Sequence, residues 1–585
     1  MEWTLTLKPG HYEPLTLEIP IRAERAPLMH ACVDGLRSND AGKIPAGTGR
    51  VWDSTRARGR QAIVGDYVPY LWVGGPLRGV SVFGENDRGW VIDGRPCQEI
   101  VREADGTVVI RLNLVQKPCD LREPRTIRLG FMATPVKPMA ADWRAREHGH
   151  LLGACWYWGG ETACDSIEPF DGTDEFFRVM AEERRTGKVD AAYLERALAA
   201  FPYAAKPGTA AWTNEQKTIR AHFNNGHNNA AKAGETGRLT FYTNARGVHY
   251  GDPKGQGATF CNEWNRFEYR SRAFTRKTQA AYDLEPNESS RDYAAWWYEK
   301  MLRTGACDFL YWDDVYLSGN FNLVQSDAYR LPDGAIQPAT GVFNMRALIR
   351  RAAVLQTELG RDATGNWVHM TNTAIAPICA FAGVNYDWED MTGDRPHQEK
   401  YPKDYILACT IGRQFGNRVG IMGYFQHGMD NRSARGQWLQ RTGAGVMLTH
   451  ELRWNPWSGH DLYEKAHGFL CDWGYRTPAV DVWNYWDEDV AFPVAVTGVD
   501  AASIAMAKRA AGEAMVCVSS FENRDGEVTL VPDAATLGLK GSWTAEHALT
   551  GEAVAVRDGR ITVALPKYDW ILLKLRETST KGTEK

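Results

Sequence analysis

Short apolar and alternating runs dominate the first 138 residues, and turn-forming Gly, Pro, Asn and Asp separate them. Helical periodicity is scarce in this stretch. Many short strands without crossover helices can bury their apolar faces only by packing sheet on sheet, so the pattern predicts an N-terminal β-sandwich over 1–138. The predicted strands are Leu15–Ile21, Gly79–Phe83, Trp90–Ile92, Thr107–Val115 and Thr126–Met132.

Strand and helix patterns alternate from residue 139 to 478, which is typical of parallel βαβ units and predicts a (β/α)8 barrel. The predicted strands are Leu151–Trp156, Leu239–Tyr242, Phe309–Trp312, Trp367–Met370, Val384–Trp388, Val419–Tyr424 and Val446–Leu448. The predicted helices are Ala191–Ala200, Glu215–Ala231, Ser290–Leu302, Phe343–Leu359, 374–381, 402–415 and 434–443. If Leu151 opens the barrel and Val446 closes it, one strand is missing before residue 275. The strand at Phe309 is then the fourth and the strand at Val384 the sixth.

Short strands separated by Gly-containing turns return near the C-terminus, at Met515–Ser519, Glu527–Val531, Ala553–Val556, Ile561–Leu565 and Trp570–Leu575. They predict an antiparallel β-sandwich over 479–585. The fold class expected from the whole pattern is α/β plus β, a TIM barrel over 139–478 flanked by two β-sandwiches.

The composition of the chain limits the kinds of partner and site to be expected. The 585 residues carry 68 basic and 72 acidic side chains for a net charge of −4, with no basic block, so a nucleic-acid partner is not expected. No apolar run is long enough to cross a membrane, and the first residues do not form a signal peptide. The compartment stays open, either cytoplasmic or exported with the leader removed. The 11 cysteines form no C-x-x-C pair, so neither a zinc cage nor a dense disulfide framework is indicated. No metal or other cofactor is expected.

Acidic residues follow two of the predicted barrel strands. Asp313 and Asp314 come directly after Phe309–Trp312, and Asp387 and Glu389 end the strand that begins at Val384. Glycosidic bond cleavage requires one carboxylic acid as proton donor and commonly a second carboxylate as nucleophile or base. We therefore expect these four residues to include the catalytic pair. Because side chains alternate along a strand, only one member of Asp313 and Asp314 is expected to perform chemistry.

Aromatic residues are abundant, with 22 Trp and 23 Tyr. Several follow predicted strands or lie in the long segment 244–272, and flat apolar rings beside polar groups suit a sugar ligand. The expected partner is a carbohydrate substrate, and the expected sugar-contacting residues are Trp264, Tyr311, Trp312, Trp388 and His427.

Two other classes of protein compete with a glycosidase. A metal-dependent amidohydrolase uses a His-x-His at the end of the first barrel strand, but His148 and His150 precede that strand. A non-catalytic sugar-binding barrel would keep the aromatic rings and lose the acids.

Two resemblances refine the expectation. The segments Phe83–Trp90 and Gly130–Pro138 resemble the N-terminal domain associated with glycoside hydrolase family 123. That resemblance implies a substrate-assisted N-acetylhexosaminidase with an adjacent Asp-Glu pair, where this chain has Asp313 and Asp314. The segment Asp308–Asp313 is similar to the fourth-strand nucleophile segment of retaining α-glycosidases of the α-galactosidase and endo-α-N-acetylgalactosaminidase groups. This second resemblance implies that the acid/base comes from a later strand, at Asp387 or Glu389.

Overall fold

The computed structural model describes most of the chain. The described residues are 1–57, 59–146, 173–188, 190–200, 205–214, 216–217, 238–244, 246–249, 259–266, 274–276, 279–369, 374–389, 392–423, 430, 432–454 and 461–578. The predicted strand Leu151–Trp156, most of the predicted helix Glu215–Ala231, both histidines of the His-x-His and His427 lie outside them.

Two antiparallel sheets and a small ribbon occupy the described part of residues 1–134. One sheet has the order β1-β12-β8-β7-β4-β5, the other β3-β10-β9-β6, and β11 pairs with β2. Side chains of both sheets, such as Ile127 and Ile110, share one hydrophobic core. The strands are β1 (Glu2–Leu7), β2 (Gly10–Tyr12), β3 (Leu15–Ile21), β4 (Leu28–Cys32), β5 (Asn39–Lys43), β6 (Gly49–Asp53), β7 (Tyr70–Gly74), β8 (Gly79–Phe83), β9 (Gln98–Arg102), β10 (Val108–Val115), β11 (Cys119–Leu121) and β12 (Arg125–Thr134).

The predicted strand Trp90–Ile92 is wrong. Only Val91 forms a bridge, to Val115. Gly89 on one side and Gly94 on the other both have positive φ, so the extended segment between these turns is too short to continue a ladder.

A parallel six-stranded sheet forms the middle of the molecule, with the order β13-β17-β20-β21-β22-β23. The strands of this region are β13 (Thr240–Asn244), β14 (Gly247–His249), β15 (Phe274–Arg276), β16 (Gln279–Asp283), β17 (Phe309–Asp313), β18 (Tyr329–Arg330), β19 (Ile336–Gln337), β20 (Trp367–His369), β21 (Val384–Asp387), β22 (Arg418–Ile421) and β23 (Arg453–Trp454). The helices are α1 (Thr173–Thr186), α2 (Ala191–Ala200), α3 (Cys261–Trp264), α4 (Glu288–Thr304), α5 (Val342–Glu358), α6 (Ala376–Cys379), α7 (His397–Lys400), α8 (Lys403–Cys409), α9 (Gly412–Phe415), α10 (Ala434–Thr449) and α11 (Asp461–Trp473).

The register of this sheet brings the ends of its strands level. Asn244 pairs with Asp313, and Trp312 pairs with Val368, so Asp313 and His369 come next on adjacent strands. One strand, β20, lies between β17 and β21 in the sheet. As predicted, these two strands are neighbours but one. The acids that follow β17 and β21 therefore lie at the same edge.

The predicted strand Val446–Leu448 is wrong, because these residues continue α10 to Thr449. The last strand of the sheet is instead β23. The apolar run misleads because α10 is buried on all sides near its C-terminal end, so its residues carry no polar face. Gly443 and Gly445 let Trp454 and Trp570 approach the helix closely.

Antiparallel sheets return after α11. One has the order β24-β26-β27-β33-β29-β30 and the other β25-β28-β32-β31, and Val516 and Val528 contribute to a core common to both sheets. Their strands are β24 (Asp481–Asn484), β25 (Val494–Thr497), β26 (Ala501–Lys508), β27 (Glu513–Ser520), β28 (Gly526–Pro532), β29 (Trp543–His547), β30 (Ala553–Val554), β31 (Val556–Arg557), β32 (Arg560–Leu565) and β33 (Trp570–Glu577).

The central part packs against the sheets on both sides of it. Tyr70 and Phe83 of the first sheet belong to the core of the central part, and Phe83 lies 5.4 Å from the ring of Phe343 on α5. Met515 and Cys517 of β27 join the same core. The first of the N-terminal sheets therefore contacts α5, the helix that follows β17 and β19 in the chain.

The contact between α10 and the C-terminal sheet predicts the effect of Gly445→Ala. A Cβ at Gly445 would lie 2.6 Å from Ser519 Oγ and from Trp570 Cβ, so the helix must move away from the sheet. We expect a loss of about 1–3 kcal/mol in the free energy of unfolding, measured by chemical denaturation.

The matched control is Gly468→Ala on α11, where a Cβ would meet nothing within 4 Å. This variant should keep its stability or gain up to about 1 kcal/mol from helix propensity. Equal effects of the two substitutions would contradict the described packing.

Candidate active site

Asp313 and His369 lie side by side where β17 and β20 end. His369 Nδ1 is 2.8 Å from Asp313 Oδ1 and 2.7 Å from the hydroxyl oxygen of Tyr311. The imidazole is buried, whereas the side chain of Asp313 is 22 % exposed. The pair thus has one buried member and one that reaches the surface of the site.

Glu389 lies on the other side of the same imidazole. Its Oε2 is 3.4 Å from His369 Nε2, and its side chain is 42 % exposed. This contact is longer than an ordinary N–H···O hydrogen bond of about 2.7–3.2 Å, and Nε2 has no hydrogen-bond partner among the described residues. Asp313 and Glu389 are thus separated by these two contacts and the width of one imidazole ring. This separation between the two carboxylates is below the upper limit of ~9.5 Å for paired glycosidase carboxylates.

The surrounding carboxylates decide the charge of His369. Burial by itself lowers the pKa of the imidazole, but Asp313, and after it Glu389 and Asp387, raise it to about 9. His369 is therefore a buried cation at neutral pH, and its charge offsets the negative charges of the carboxylates around it.

Asp314 turns the chain at the end of β17. Its φ is 56°, in the left-handed region, and its backbone N–H donates to Asp313 Oδ1 at 2.9 Å. The side-chain alternation of a strand does not extend through such a turn. Asp313 consequently faces β20, while Asp314 Oδ2 faces β13 and accepts a 2.7 Å hydrogen bond from Asn244 Nδ2.

The environment of Asp314 favours its protonated form. Burial, and then the charge of Asp313, raise the pKa of Asp314 to about 6, although Asn244, His369 and Arg246 act in the opposite direction. A carboxyl group with this pKa keeps its proton in mildly acidic solution and can donate it to a leaving group.

The second acid cluster divides into a buried and an exposed member. Asp387 is buried, and its Oδ1 accepts a 2.9 Å hydrogen bond from the N–H of Trp388, which also has a left-handed φ of 55°. Glu389 follows this turn and is the member that borders the site. Of the four predicted acids, the structure thus brings Asp313, Asp314 and Glu389 to the surface around His369 and places Asp387 beneath it.

Three of the predicted sugar-contacting residues belong to the core, which corrects that expectation. Trp264 lies between Phe260 and Tyr293, with ring centroids 5.1 Å away on both sides. Trp312 is buried, and its indole N–H donates to the hydroxyl of Tyr298. Trp388 is buried and stacks at 3.9 Å on Tyr401.

These indoles have no face for a sugar to stack on in this structure. Tyr311 is also buried, and only its hydroxyl takes part in the site, through His369.

Two residues of the site, His369 and Asn244, are not among the sequence-predicted ones. Each of these two residues is the last residue of a parallel strand adjacent to β17. The alignment of the strand ends at one edge of the sheet is therefore the signal that could have identified them. Asn244 also has a fixed orientation, because its Oδ1 accepts the N–H of Arg246 at 2.8 Å and leaves Nδ2 facing Asp314.

In the part of the chain that the structure describes, no group of three or more His, Cys, Asp or Glu side chains is placed to hold a metal ion. None of the helices described is both long and apolar enough to cross a bilayer.

Comparison with known proteins gives distant structural likenesses. No protein-family model and no curated protein matches the chain, so the resemblance to family 123 stays a prediction. A GH36 α-galactosidase from Geobacillus stearothermophilus, in complex with 1-deoxygalactonojirimycin, is 11% identical, with 96% of this chain and 76% of that chain covered and a TM-score of 0.43.

Two further solved structures are more distant still. A maltogenic α-amylase from Thermotoga neapolitana is 10% identical, with 62% and 80% covered and a TM-score of 0.36. A GH27 β-L-arabinopyranosidase from Geobacillus stearothermophilus is 11% identical, with 58% and 75% covered and a TM-score of 0.33.

The charge of His369 predicts how stability depends on pH. The folded pKa of about 9 exceeds the ordinary value of 6.5, so the stabilisation is complete below pH 6.5 and is lost as the pH rises through 9. We expect the free energy of unfolding to fall by up to roughly 3 kcal/mol over this range. The fall should be much smaller in His369→Gln. Parallel pH curves for the two proteins, measured by urea denaturation, would contradict a charged His369.

Proposed function

We propose that this protein is a glycoside hydrolase. The observation that carries the proposal is the pair of adjacent carboxyl groups at the end of β17. Asp313 accepts hydrogen bonds as a carboxylate, and Asp314 has a pKa of about 6. Glycoside cleavage requires one carboxylate and one carboxylic acid at the same bond, and this pair supplies both.

Asp313 is assigned the role of nucleophile. The imidazolium of His369 and the N–H of Asp314 both face its Oδ1, which keeps the group ionised. Its carboxylate attacks the anomeric carbon while the bond to the leaving oxygen breaks, and Asp314 transfers its proton to that oxygen. In the second step Asp314 takes a proton from water, the resulting hydroxide attacks the anomeric carbon, and Asp313 is released.

Glu389 is the alternative proton donor. It is the more exposed acid, and it lies across His369 from Asp313. However, burial favours the acid form of Asp314, whereas Glu389 is 42 % exposed and lies 3.4 Å from the cationic ring of His369. We therefore assign the donor role to Asp314 and expect Glu389 to bind a sugar hydroxyl.

A substrate-assisted N-acetylhexosaminidase is the second candidate, because the two acids are adjacent in sequence as in family 123. Asp313 would then orient a 2-acetamido group instead of attacking the sugar. Asp314 would remain the donor in both mechanisms. A non-catalytic sugar-binding protein, in contrast, would have no use for a proton donor at this position.

We also propose the larger architecture in which this site lies. The six parallel strands belong to a (β/α)8 barrel over 139–478, with the acids at the C-terminal ends of its strands and β-sandwiches over 1–138 and 479–585. Parallel pairing, the strand order and the level ends of β13, β17 and β20 support this proposal.

The identity of the donor can be tested with aryl glycosides of graded leaving-group ability. Asp314→Asn should lower kcat/KM for phenyl or alkyl glycosides by about 10²–10⁴-fold, and far less for dinitrophenyl glycosides, which leave without a proton. For the wild-type enzyme, kcat/KM on poor leaving groups should fall as the pH rises through about 6, because Asp314 then loses its proton.

The matched variant is Glu389→Gln, which should lower kcat/KM for all substrates by a similar factor. The opposite result, with leaving-group dependence in Glu389→Gln alone, would make Glu389 the donor. Failure of the wild-type enzyme to hydrolyse any aryl glycoside across a panel of hexosides, pentosides and 2-acetamido sugars would contradict the proposed function.

A further inference from the structure

We propose that Glu85, which follows strand β8 of the N-terminal sheets, is a positioning residue for Asp314. It acts through Gly341, Glu285 and Arg246, and we call these four residues the relay. The inference rests on the proposed function of Asp314 as proton donor.

Arg246 holds the turn that contains Asp314. Its Nε donates to the carbonyl oxygen of Asp314 at 3.0 Å, and its Nη2 donates to that of Tyr316 at 2.8 Å. Both bonds go to backbone oxygens on the C-terminal side of the left-handed turn. The guanidinium therefore fixes the direction in which the chain leaves β17, and with it the position of the Asp314 carboxyl group.

Glu285 fixes Arg246 in turn. Its Oε2 is 3.0 Å from Arg246 Nη1, and the side chains of Arg246 and Glu285 are 3 % and 2 % exposed. A buried ion pair leaves a costly uncompensated charge when one partner moves away, so the two groups are held together. Oε1 of Glu285 has no hydrogen-bond partner among the described residues, so Nη1 is the donor that holds this carboxylate.

Glu85 binds the start of α5 with both carboxylate oxygens. Oε1 accepts the N–H of Phe343 at 2.9 Å, and Oε2 accepts those of Thr340 at 2.9 Å and Gly341 at 2.6 Å. The first N–H groups of a helix lack partners within the helix, and a carboxylate there also interacts favourably with the helix dipole. A residue of the N-terminal sheets thus supplies the cap of a helix in the central part.

Gly341 lies between the two glutamates. Its φ is 72°, and a Cβ at this position would be 2.4 Å from Glu285 Oε1. The pKa of Glu85 is raised to about 7 by burial and, after it, by the charge of Glu285, which agrees with this proximity. Any displacement of Gly341 from Glu85 therefore changes the space left for Glu285 and the geometry of its pair with Arg246.

The neighbouring residue offers a control at the same interface. Asn86 Nδ2 donates to the carbonyl oxygens of Asp327 and Pro338, both at 3.0 Å. These bonds hold the same segment of the N-terminal sheets against the central part, but they touch no member of the relay. Asn86→Ala therefore weakens the interface, and it also loses the 3.0 Å bond that Asn86 Oδ1 accepts from the N–H of Arg88, but it removes no hydrogen bond made by a side chain of the relay.

The test compares Glu85→Gln, Arg246→Lys and Asn86→Ala on the same aryl glycosides. In Glu85→Gln the side-chain amide cannot accept at both positions, so at least one N–H of α5 loses its partner. Arg246→Lys keeps the charge but loses the hold on two backbone carbonyls. We expect both to lower turnover of phenyl glycosides at least about 10-fold more than turnover of dinitrophenyl glycosides, since a misplaced donor harms only reactions that need its proton. Asn86→Ala should lower Tm and affect both substrates equally.

Crystal structures of Glu85→Gln and Arg246→Lys separate the inference from the proposed function. In one outcome the wild-type protein hydrolyses no glycoside, while the crystal structure of Glu85→Gln shows that the contact between residue 246 and the Asp314 carbonyl oxygen is lost. This outcome would support the relay and refute the proposed function. An active wild type with unchanged leaving-group dependence in Glu85→Gln and Arg246→Lys would overturn the relay alone. If Glu85→Gln does not fold, Arg246→Lys and Gly341→Ala, whose Cβ displaces Glu285, make the same distinction.

Discussion

The buried imidazolium of His369 is the interaction on which the site depends. Asp313, Glu389 and Asp387 all contribute to its raised pKa, so three carboxylates share one cation at the edge of the sheet. Without that cation the carboxylates would repel each other, and the buried Asp387 lies in surroundings that solvate it poorly. His369 thus allows a cluster of acids to exist at this edge, beside Asp314, whose pKa is raised to about 6.

A local turn repeated on two strands places the acids around that cation. Both β17 and β21 end in an Asp whose carboxylate accepts the N–H of the next residue, and that next residue is left-handed in both cases. A left-handed residue other than Gly costs about 1–3 kcal/mol and persists where the surroundings hold it. Here the Asp carboxylates and the strand register stabilise both turns. The contacts of Arg246 also stabilise the turn after β17. After the first turn Asp314 faces Asn244 on β13, and after the second Glu389 lies beside Nε2 of His369.

The sequence predicts much of this arrangement, because the apolar period of a strand and the acids that end it are local features. The strands at Phe309 and Val384 and the helices on either side of β17 are predicted close to their observed bounds. What local reasoning misses depends on contacts between distant residues. The partner of Asp313 is 56 residues away on β20, and the left-handed turn at Asp314 cancels the alternation that a continued strand would impose.

The aromatic residues and α10 also show that local sequence patterns do not reveal contacts between distant residues. Trp264, Trp312 and Trp388 follow patterns that suit a sugar site equally well, and only packing against Phe260, Tyr298 and Tyr401 reveals that their rings are covered. The run Val446–Leu448 is apolar in a buried helix as it would be in a buried strand, so its period could not separate the two.

The most direct test of the account is a search for the covalent intermediate that a nucleophilic Asp313 must form. The protein would be incubated with a panel of activated 2-deoxy-2-fluoro glycosides, and its intact mass and peptide masses measured. We expect the mass of one fluorosugar on the peptide that contains Asp313, and no increase in Asp313→Asn. An unlabelled wild-type protein that turns over only 2-acetamido sugars would contradict the nucleophile assignment.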